Sequence, residues 1–203
     1  KLKGLLSSWQ TGMTEGGGWN AVFWNNHDQP WALNRFGDPV HYREKSAEML
    51  AATIHFLRGT PFIYQGEELG MVNPHFSRIT DFRDVESRNM CAEQRANGRD
   101  TEELMAILAS KSRDNGRKPM PWDASHNAGC TEAEPWIGVC DNYETVNARA
   151  ALDDPNSVFY TYQSLIRLRK TLSVLTWGDY EDLLPDHPSL WCYRRQWQGQ
   201  TLM

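Results

Sequence analysis

The sequence predicts an α/β chain that passes into an antiparallel β region, and three observations carry that reading. Two short apolar runs, Ala21-Val22-Phe23-Trp24 and Phe62-Ile63-Tyr64, show no helical period and end at polar or glycine positions. Between them, Arg43 to Arg58 places Ala47, Leu50, Ala51, Ile54 and Leu57 at helical spacing, with Gly59 and Pro61 as stop signals. After Leu175 the pattern turns to alternation, clearest in Trp191-Cys192-Tyr193-Arg194-Arg195-Gln196-Trp197. Two buried strands joined by an amphipathic helix make a βαβ unit, so the strands should be parallel and the crossover right-handed.

The remaining elements follow in chain order. Lys1 to Asn20 reads as a helix and loop leading into the first strand, with Gly16-Gly17-Gly18 as a flexible turn, since no phosphate-binding pattern follows it. From Met71 to Thr101 the chain is polar and aperiodic, and about thirty residues of that kind inside a globular protein suggest a functional excursion. Glu102 to Ser110 is helical, with Leu104, Ile107 and Leu108 on one side. Lys111 to Asn147 is irregular again, broken by Pro119, Pro121 and Pro135. Asp154-Pro155 predicts an N-cap and first-turn proline for a helix through Leu172, carrying Val158, Tyr162, Leu165, Ile166 and Leu168. A boundary near Ser173 divides the chain into 1–172 and 173–203, the second part being the start of an antiparallel β-sandwich domain. Gln200-Thr201-Leu202-Met203 opens a strand with nothing after it to pair with, and Lys1 follows no methionine, so both ends read as cut.

Bulk properties narrow the function classes. With 203 residues, 40% hydrophobic and 23% charged, the chain can build a real core. A net charge of −5 with scattered basic residues argues against nucleic acid or anionic membrane as a partner. No stretch approaches the roughly 20 apolar residues of a membrane helix, and no signal-peptide profile is present. Cys91, Cys130, Cys140 and Cys192 lack the paired short spacing of zinc or redox sites, which points to plain residues and a reducing, cytoplasmic setting. His41, His75 and His126 show no metal spacing, so no metal or other cofactor is expected. They read as solvated loop histidines, with a rim role open to His75. Most of the nine tryptophans should be packing residues.

Chemistry is expected where the strands end. The first run stops at Asn25-Asn26-His27-Asp28 and the second at Gln65-Gly66-Glu67-Glu68. Carboxylates there could stabilise an oxocarbenium-like transition state and bind hydroxyls, with a histidine beside them as donor. The same polar clusters could equally be ordinary strand-to-loop transitions.

Motifs decide between these readings. Phe23-Trp24-Asn25-Asn26-His27-Asp28-Gln29-Pro30 resembles the fourth signature region of the α-amylase superfamily (glycoside hydrolase family 13) at the end of its seventh barrel strand. Gly59-Thr60-Pro61-Phe62-Ile63-Tyr64-Gln65-Gly66-Glu67-Glu68-Leu69-Gly70-Met71 resembles the eighth strand. Lys111-Ser112-Arg113-Asp114-Asn115-Gly116-Arg117-Lys118-Pro119-Met120 is similar to a segment of the oligo-1,6-glucosidase and trehalose-6-phosphate hydrolase branch, the latter being the nearer likeness. Asn73-Pro74-His75-Phe76, Asp84-Val85-Glu86-Ser87 and Glu134-Pro135-Trp136-Ile137-Gly138 extend it over essentially the whole chain.

The resemblance implies the C-terminal portion of a TIM (β/α)8 barrel, strands 7 and 8 with their helices. It implies a retaining α-glycoside hydrolase that splits a phosphorylated disaccharide into glucose and glucose 6-phosphate in the cytoplasm, monomeric at full length. Asp28 matches the third catalytic carboxylate, the transition-state stabiliser; His27 matches the neighbouring sugar-binding histidine, and Arg117 an arginine that fixes the non-reducing glucose. Two positions depart from the branch: Trp31 stands where arginine is usual and could offer an aromatic face to a sugar, and Pro121 stands where glutamine is usual. The family's Asp nucleophile and Glu acid belong to strands 4 and 5, so none of the 203 residues matches them, and the isolated chain is expected to be inactive and poorly folded. The alternatives are an oligo-1,6-glucosidase or other α-glucosidase with a neutral substrate, a non-catalytic relative such as a transporter heavy-chain ectodomain, or a functionless remnant. His27, Asp28 and Arg117 argue against the transporter type.

Overall fold

The computed structural model describes residues 1–203. Its helices are α1 (Leu2–Glu15), α2 (Ala32–Phe36), α3 (Arg43–Phe56), α4 (Val85–Ala96), α5 (Thr101–Lys111), α6 (Ala148–Asp153), α7 (Val158–Thr171) and α8 (Ser173–Trp177). Its strands are β1 (Ala21–Val22), β2 (Thr60–Pro61), β3 (Asp179–Asp182), β4 (Tyr193–Trp197) and β5 (Gln200–Leu202). The chain forms two compact units. One comprises Lys1–Phe23, Ala51–Phe62 and Gln163–Met203; the other comprises Trp24–Leu50 and Ile63–Tyr162.

In the first unit β1 and β2 pair in parallel, Ala21 opposite Thr60 and Val22 opposite Pro61. The ladder is shorter than the apolar runs and ends before Phe62-Ile63-Tyr64, the run expected to be the second strand. The ladder bonds run from Thr60 N to Asn20 O (2.7 Å) and from Phe62 N to Val22 O (2.9 Å), so Pro61, which has no N–H to give, sits at the position that need not donate to β1. Phe23 and Phe62 are exposed at 49% and 55%. Gly59 makes the approach possible: its φ is +138°, and a Cβ there would stand 2.5 Å from Asn20 O.

The tail builds a three-stranded antiparallel sheet in the order β3-β4-β5, with Asp179 opposite Gln196 and Arg195 opposite Leu202. Ser173–Trp177 forms the short α8 before alternation takes over. Ser7 on α1 meets the Tyr180 hydroxyl (2.6 Å), and Lys3 Nζ donates to Leu184 O, His187 O and Leu190 O.

Two arginines organise this unit. Arg195 is fully buried and donates from Nε and Nη2 to Gly178 O (3.1 and 2.7 Å), from Nε to Asp179 O (3.1 Å) and from Nη1 to Phe56 O (2.5 Å). Arg169 Nη1 donates to His55 O (2.6 Å), Leu57 O (2.9 Å) and Leu175 O (3.1 Å), and Nη2 to Gly59 O. The last carbonyls of a helix have no partner within it, and here two guanidinium groups take those at the end of α3.

In the second unit, the expected irregular stretch from 71 to 101 contains a full helix. Asp84 caps α4 by accepting from Ser87 N (2.9 Å). Only Ser87 and Cys91 of α4 are buried, so its apolar stripe is too thin to show a period. Asp100 caps α5, which runs Thr101–Lys111. Phe82, Cys91, Leu104 and Leu108 form one core, with Phe76 edge-on to Phe82 at 4.9 Å. Trp31, Leu69, Met71, Cys140 and Val146 form another. The helix expected from Asp154-Pro155 begins instead at Val158, because Asp154–Ser157 makes a turn after the separate α6, capped by Asn147.

Candidate active site

The residues singled out at the end of the first strand run sit on a tightly tied loop. Asn25 closes its base, its Oδ1 accepting from Ala32 N (2.6 Å) and its Nδ2 donating to Glu67 Oε1 (2.6 Å). Asn26 Oδ1 accepts from Asp28 N (2.8 Å), an Asx turn that turns the next two side chains outward. His27 and Asp28 are consequently 72% and 46% exposed, with His27 Nε2 3.3 Å from Asp28 Oδ2.

Arg117 reaches this loop from ninety residues further along the chain. It follows the 3-10 turn Arg113–Gly116, which Ser112 caps through Asp114 N. Its Nε donates to His27 O (2.7 Å), Nη2 to Asp28 Oδ1 (2.7 Å) and Nη1 to Asp84 Oδ1 (3.2 Å). Thus the three residues picked from the sequence, His27, Asp28 and Arg117, converge on one spot.

Sequence reasoning did not assign roles to the neighbours that tie this spot together. Arg113 Nη2 bonds Asp84 Oδ1 (3.0 Å) and Glu86 Oε2 (2.9 Å), while Nη1 lies 3.8 Å from Asp28 Oδ1. The Asp84 side chain is 5% exposed. Burial works against its charge, but hydrogen bonds from Ser87 and the pairing with Arg113 outweigh it and hold its carboxyl below the usual range. Beneath it, fully buried Asp114 accepts from Arg83 N (2.6 Å) and Asp84 N (2.8 Å). Both arginines and Asp84 lie inside motifs already conspicuous in the sequence, but ion pairing across roughly thirty positions leaves no periodic trace.

Glu67, at the second run's polar end, is buried rather than presented to solvent. Burial drives its pKa up to about 7, against hydrogen bonds from Asn25 and Tyr162, whose hydroxyl donates to Oε2 (3.1 Å).

An open cleft of about 510 Å³ is lined by Asp28, Asp84, Glu86, Lys111 and Arg113, and one of about 450 Å³ shares Asp28, Gln29 and Lys111 with it. Of the carboxylates lining the larger cleft, Asp84 is committed to two arginines and a helix cap, and Glu86 to Arg113. Asp28, nearly half exposed, stands at the cleft beside both a histidine and a planar guanidinium, a set suited to a polyhydroxylated ligand that displaces one of these partners.

Other sequence candidates lie elsewhere. Trp31, considered as an aromatic face for a sugar, is 2% exposed and packs tilted against Tyr64, with ring centroids 5.8 Å apart, within the core. Trp31→Ala is expected to cost about 3–4 kcal/mol of stability, readable by denaturant unfolding, because it leaves an indole-sized cavity. Pro121 is fully buried, and its carbonyl accepts from Ala148 N (2.9 Å). His75 pairs with Asp141 (2.8 Å) in solvent and His41 with Asp38 (3.3 Å), away from Asp28. The four cysteines are free thiols. No group of three His, Cys, Asp or Glu side chains is arranged to hold a metal ion, and no helix is long and apolar enough to cross a membrane.

Comparison with known proteins agrees with this geometry. The α-amylase catalytic-domain model matches residues 1–178. Trehalose-6-phosphate hydrolase of Escherichia coli is 62% identical over 202 residues, covering 100% of this chain and 36% of that protein. Oligo-1,6-glucosidase of Halalkalibacterium halodurans is 50% identical with the same coverage. A crystal structure of a Bacillus licheniformis trehalose-6-phosphate hydrolase variant superimposes with a TM-score of 0.96 at 52% identity, over 98% of this chain and 36% of that one. The chain spans about a third of the length of these relatives. With a family model matched over most of its residues, and with its His27-Asp28-Arg117 cluster in the motif contexts described, the chain belongs to the α-amylase family.

Proposed function

We propose that these residues form the C-terminal part of the catalytic barrel of a retaining α-glycoside hydrolase acting on trehalose 6-phosphate, with β1 and β2 as its seventh and eighth strands. In this reading residues 1–172 are barrel and 173–203 begin a β-sandwich domain; the enzyme is a cytoplasmic monomer that releases glucose and glucose 6-phosphate. The observation that carries it is the contact of Arg117 with both Asp28 (2.7 Å) and the His27 carbonyl (2.7 Å) at an open cleft, in a chain 62% identical to the E. coli relative.

The mechanism assigned to this wall is electrostatic. Asp28 accepts hydroxyls of the sugar at the cleavage point, and its negative charge favours the flattened, positively charged ring of the transition state. His27 donates to the same sugar, and Arg117 fixes the non-reducing glucose through donors held in one plane. The bond-making Asp and the proton-donating Glu are assigned to none of these 203 residues; retention of configuration requires both in the complete enzyme.

The test is to graft these 203 residues into the E. coli relative in place of the matching stretch and assay two substrates. Turnover of trehalose 6-phosphate in clear preference to isomaltose is the expected result. Preference for isomaltose would instead support a neutral α-glucosidase, the type represented by the H. halodurans relative. No turnover of either by a folded graft would contradict a hydrolase role for this wall.

A further inference from the structure

We infer that Asp84 is a positioning residue that holds Arg117 and Arg113 beside Asp28 and keeps them partnered when Asp28 exchanges an arginine for a sugar hydroxyl. This rests on the reading of Asp28 and Arg117 as sugar-binding groups, and adds a residue to which that reading gives no role.

Asp84 is fixed on three sides. Its backbone N–H donates to Asp114 Oδ2 (2.8 Å), and its Oδ2 accepts from Ser87 N (2.9 Å) and Ser87 Oγ (3.0 Å) at the start of α4. That leaves Oδ1 for the two guanidiniums, Arg113 at 3.0 Å and Arg117 at 3.2 Å. The same two guanidiniums also reach Asp28 Oδ1, at 3.8 and 2.7 Å. Two cations therefore share two carboxylates, one buried and immobile, the other nearly half exposed at the cleft.

Asp28 can bind a sugar only if its oxygens exchange an arginine for a hydroxyl. With Asp84 in place, Arg117 keeps a charged partner when it yields Asp28 Oδ1, so the exchange does not strand a partly buried cation. Without it, both guanidiniums have Asp28 as their remaining nearby carboxylate, apart from Glu86 on Arg113, and compete with the sugar for it. Asp84 touches neither ligand nor reacting atoms; it acts through the arginines.

The two jobs of Asp84 are separable by mutation. Asn and Ser both cap helices well, so Asp84→Asn and Asp84→Ser keep α4 started. Asparagine then turns an amide donor toward two guanidiniums, and serine is too short to reach them. In the graft, both variants are expected to raise KM about tenfold with a smaller fall in kcat, the loss of one charge-assisted hydrogen bond. Independently of turnover, phenylglyoxal modification of Arg117 and Arg113, followed by mass spectrometry, should accelerate several-fold while Arg35 and Arg149 react as before. Unchanged KM with unchanged protection of Arg117 overturns the inference, and equal acceleration at all four arginines reduces Asp84 to a fold residue. If the unmutated graft is folded but inactive, the proposed function fails, and the arginine protection still decides the role of Asp84.

Discussion

Replacing Arg195 by methionine is expected to destabilise the protein by roughly 3 kcal/mol, the cost of leaving one buried and two part-buried carbonyls without their donor. Its guanidinium serves Phe56 O, Gly178 O and Asp179 O, and none of these backbone groups can be removed along with the side chain. The substitution is not all loss. Burial pushes the Arg195 pKa down to about 10, so the charged side chain already carries a desolvation penalty that methionine would relieve. The lost donors outweigh that relief because Gly178 O is buried and carries two of the bonds, whereas a buried arginine–carboxylate pair could be exchanged as a whole for hydrophobic groups at little cost. Arg195→Lys should fall between, since one ammonium cannot span three carbonyls held for a planar fork. Denaturant unfolding of the grafted enzyme measures this; a methionine variant as stable as the parent would show that the carbonyls find other donors.

Glu67 is expected to make stability depend on pH. Its ordinary pKa of 4.5 rises to about 7 in the fold, so between those values the folded chain holds a proton that the unfolded chain has released. The contribution is therefore complete below about pH 4.5 and is lost as pH rises through 7, leaving a penalty of roughly 3 kcal/mol in alkaline solution. Groups around the carboxyl are Asn25 from the loop after β1, Tyr162 from α7 and, through its effect on Tyr162, Glu68. Glu67→Gln stays neutral at every pH, keeps an acceptor for Asn25 and can donate to the Tyr162 oxygen. Above pH 7 it should be more stable than the parent by roughly 3 kcal/mol, with the difference vanishing below about pH 4.5. Parallel stability curves for the two proteins would rule this out.

How much of this was legible in the sequence depended on the range of the interaction concerned. The strand-helix-strand order around Arg43–Phe56 showed because its apolar residues recur on one face within a few turns. His27, Asp28 and Arg117 could be singled out because they stand in short motifs resembling those of a family, and the fold brings the three together. Long-range packing did not show. Trp31 sits in a polar stretch, and its burial depends on Leu69, Met71, Cys140 and Val146, all distant in sequence. Glu67 reads as one more polar residue at a strand end, and only the tertiary fold reveals that Asn25 and Tyr162 enclose it. The helix α4 was lost because most of its residues face solvent, and its cap, Asp84, is recognisable only once Ser87 is seen to donate to it. The second strand was displaced because its pairing with β1 covers only Thr60–Pro61, at the edge of the apolar run, and where a partner strand's bonds end is not registered by hydrophobicity.

The sugar-site reading rests most directly on Asp28. In the grafted enzyme, Asp28→Asn keeps the size of the side chain and an acceptor for Arg117 but removes the charge that a developing oxocarbenium ion needs. The decisive measurement is kcat/KM on trehalose 6-phosphate for this pair, with unfolding midpoints taken in parallel. A fall of about 10³-fold at unchanged stability is expected; a variant that turns over within a few-fold of the parent would contradict the assignment of this wall to the transition state.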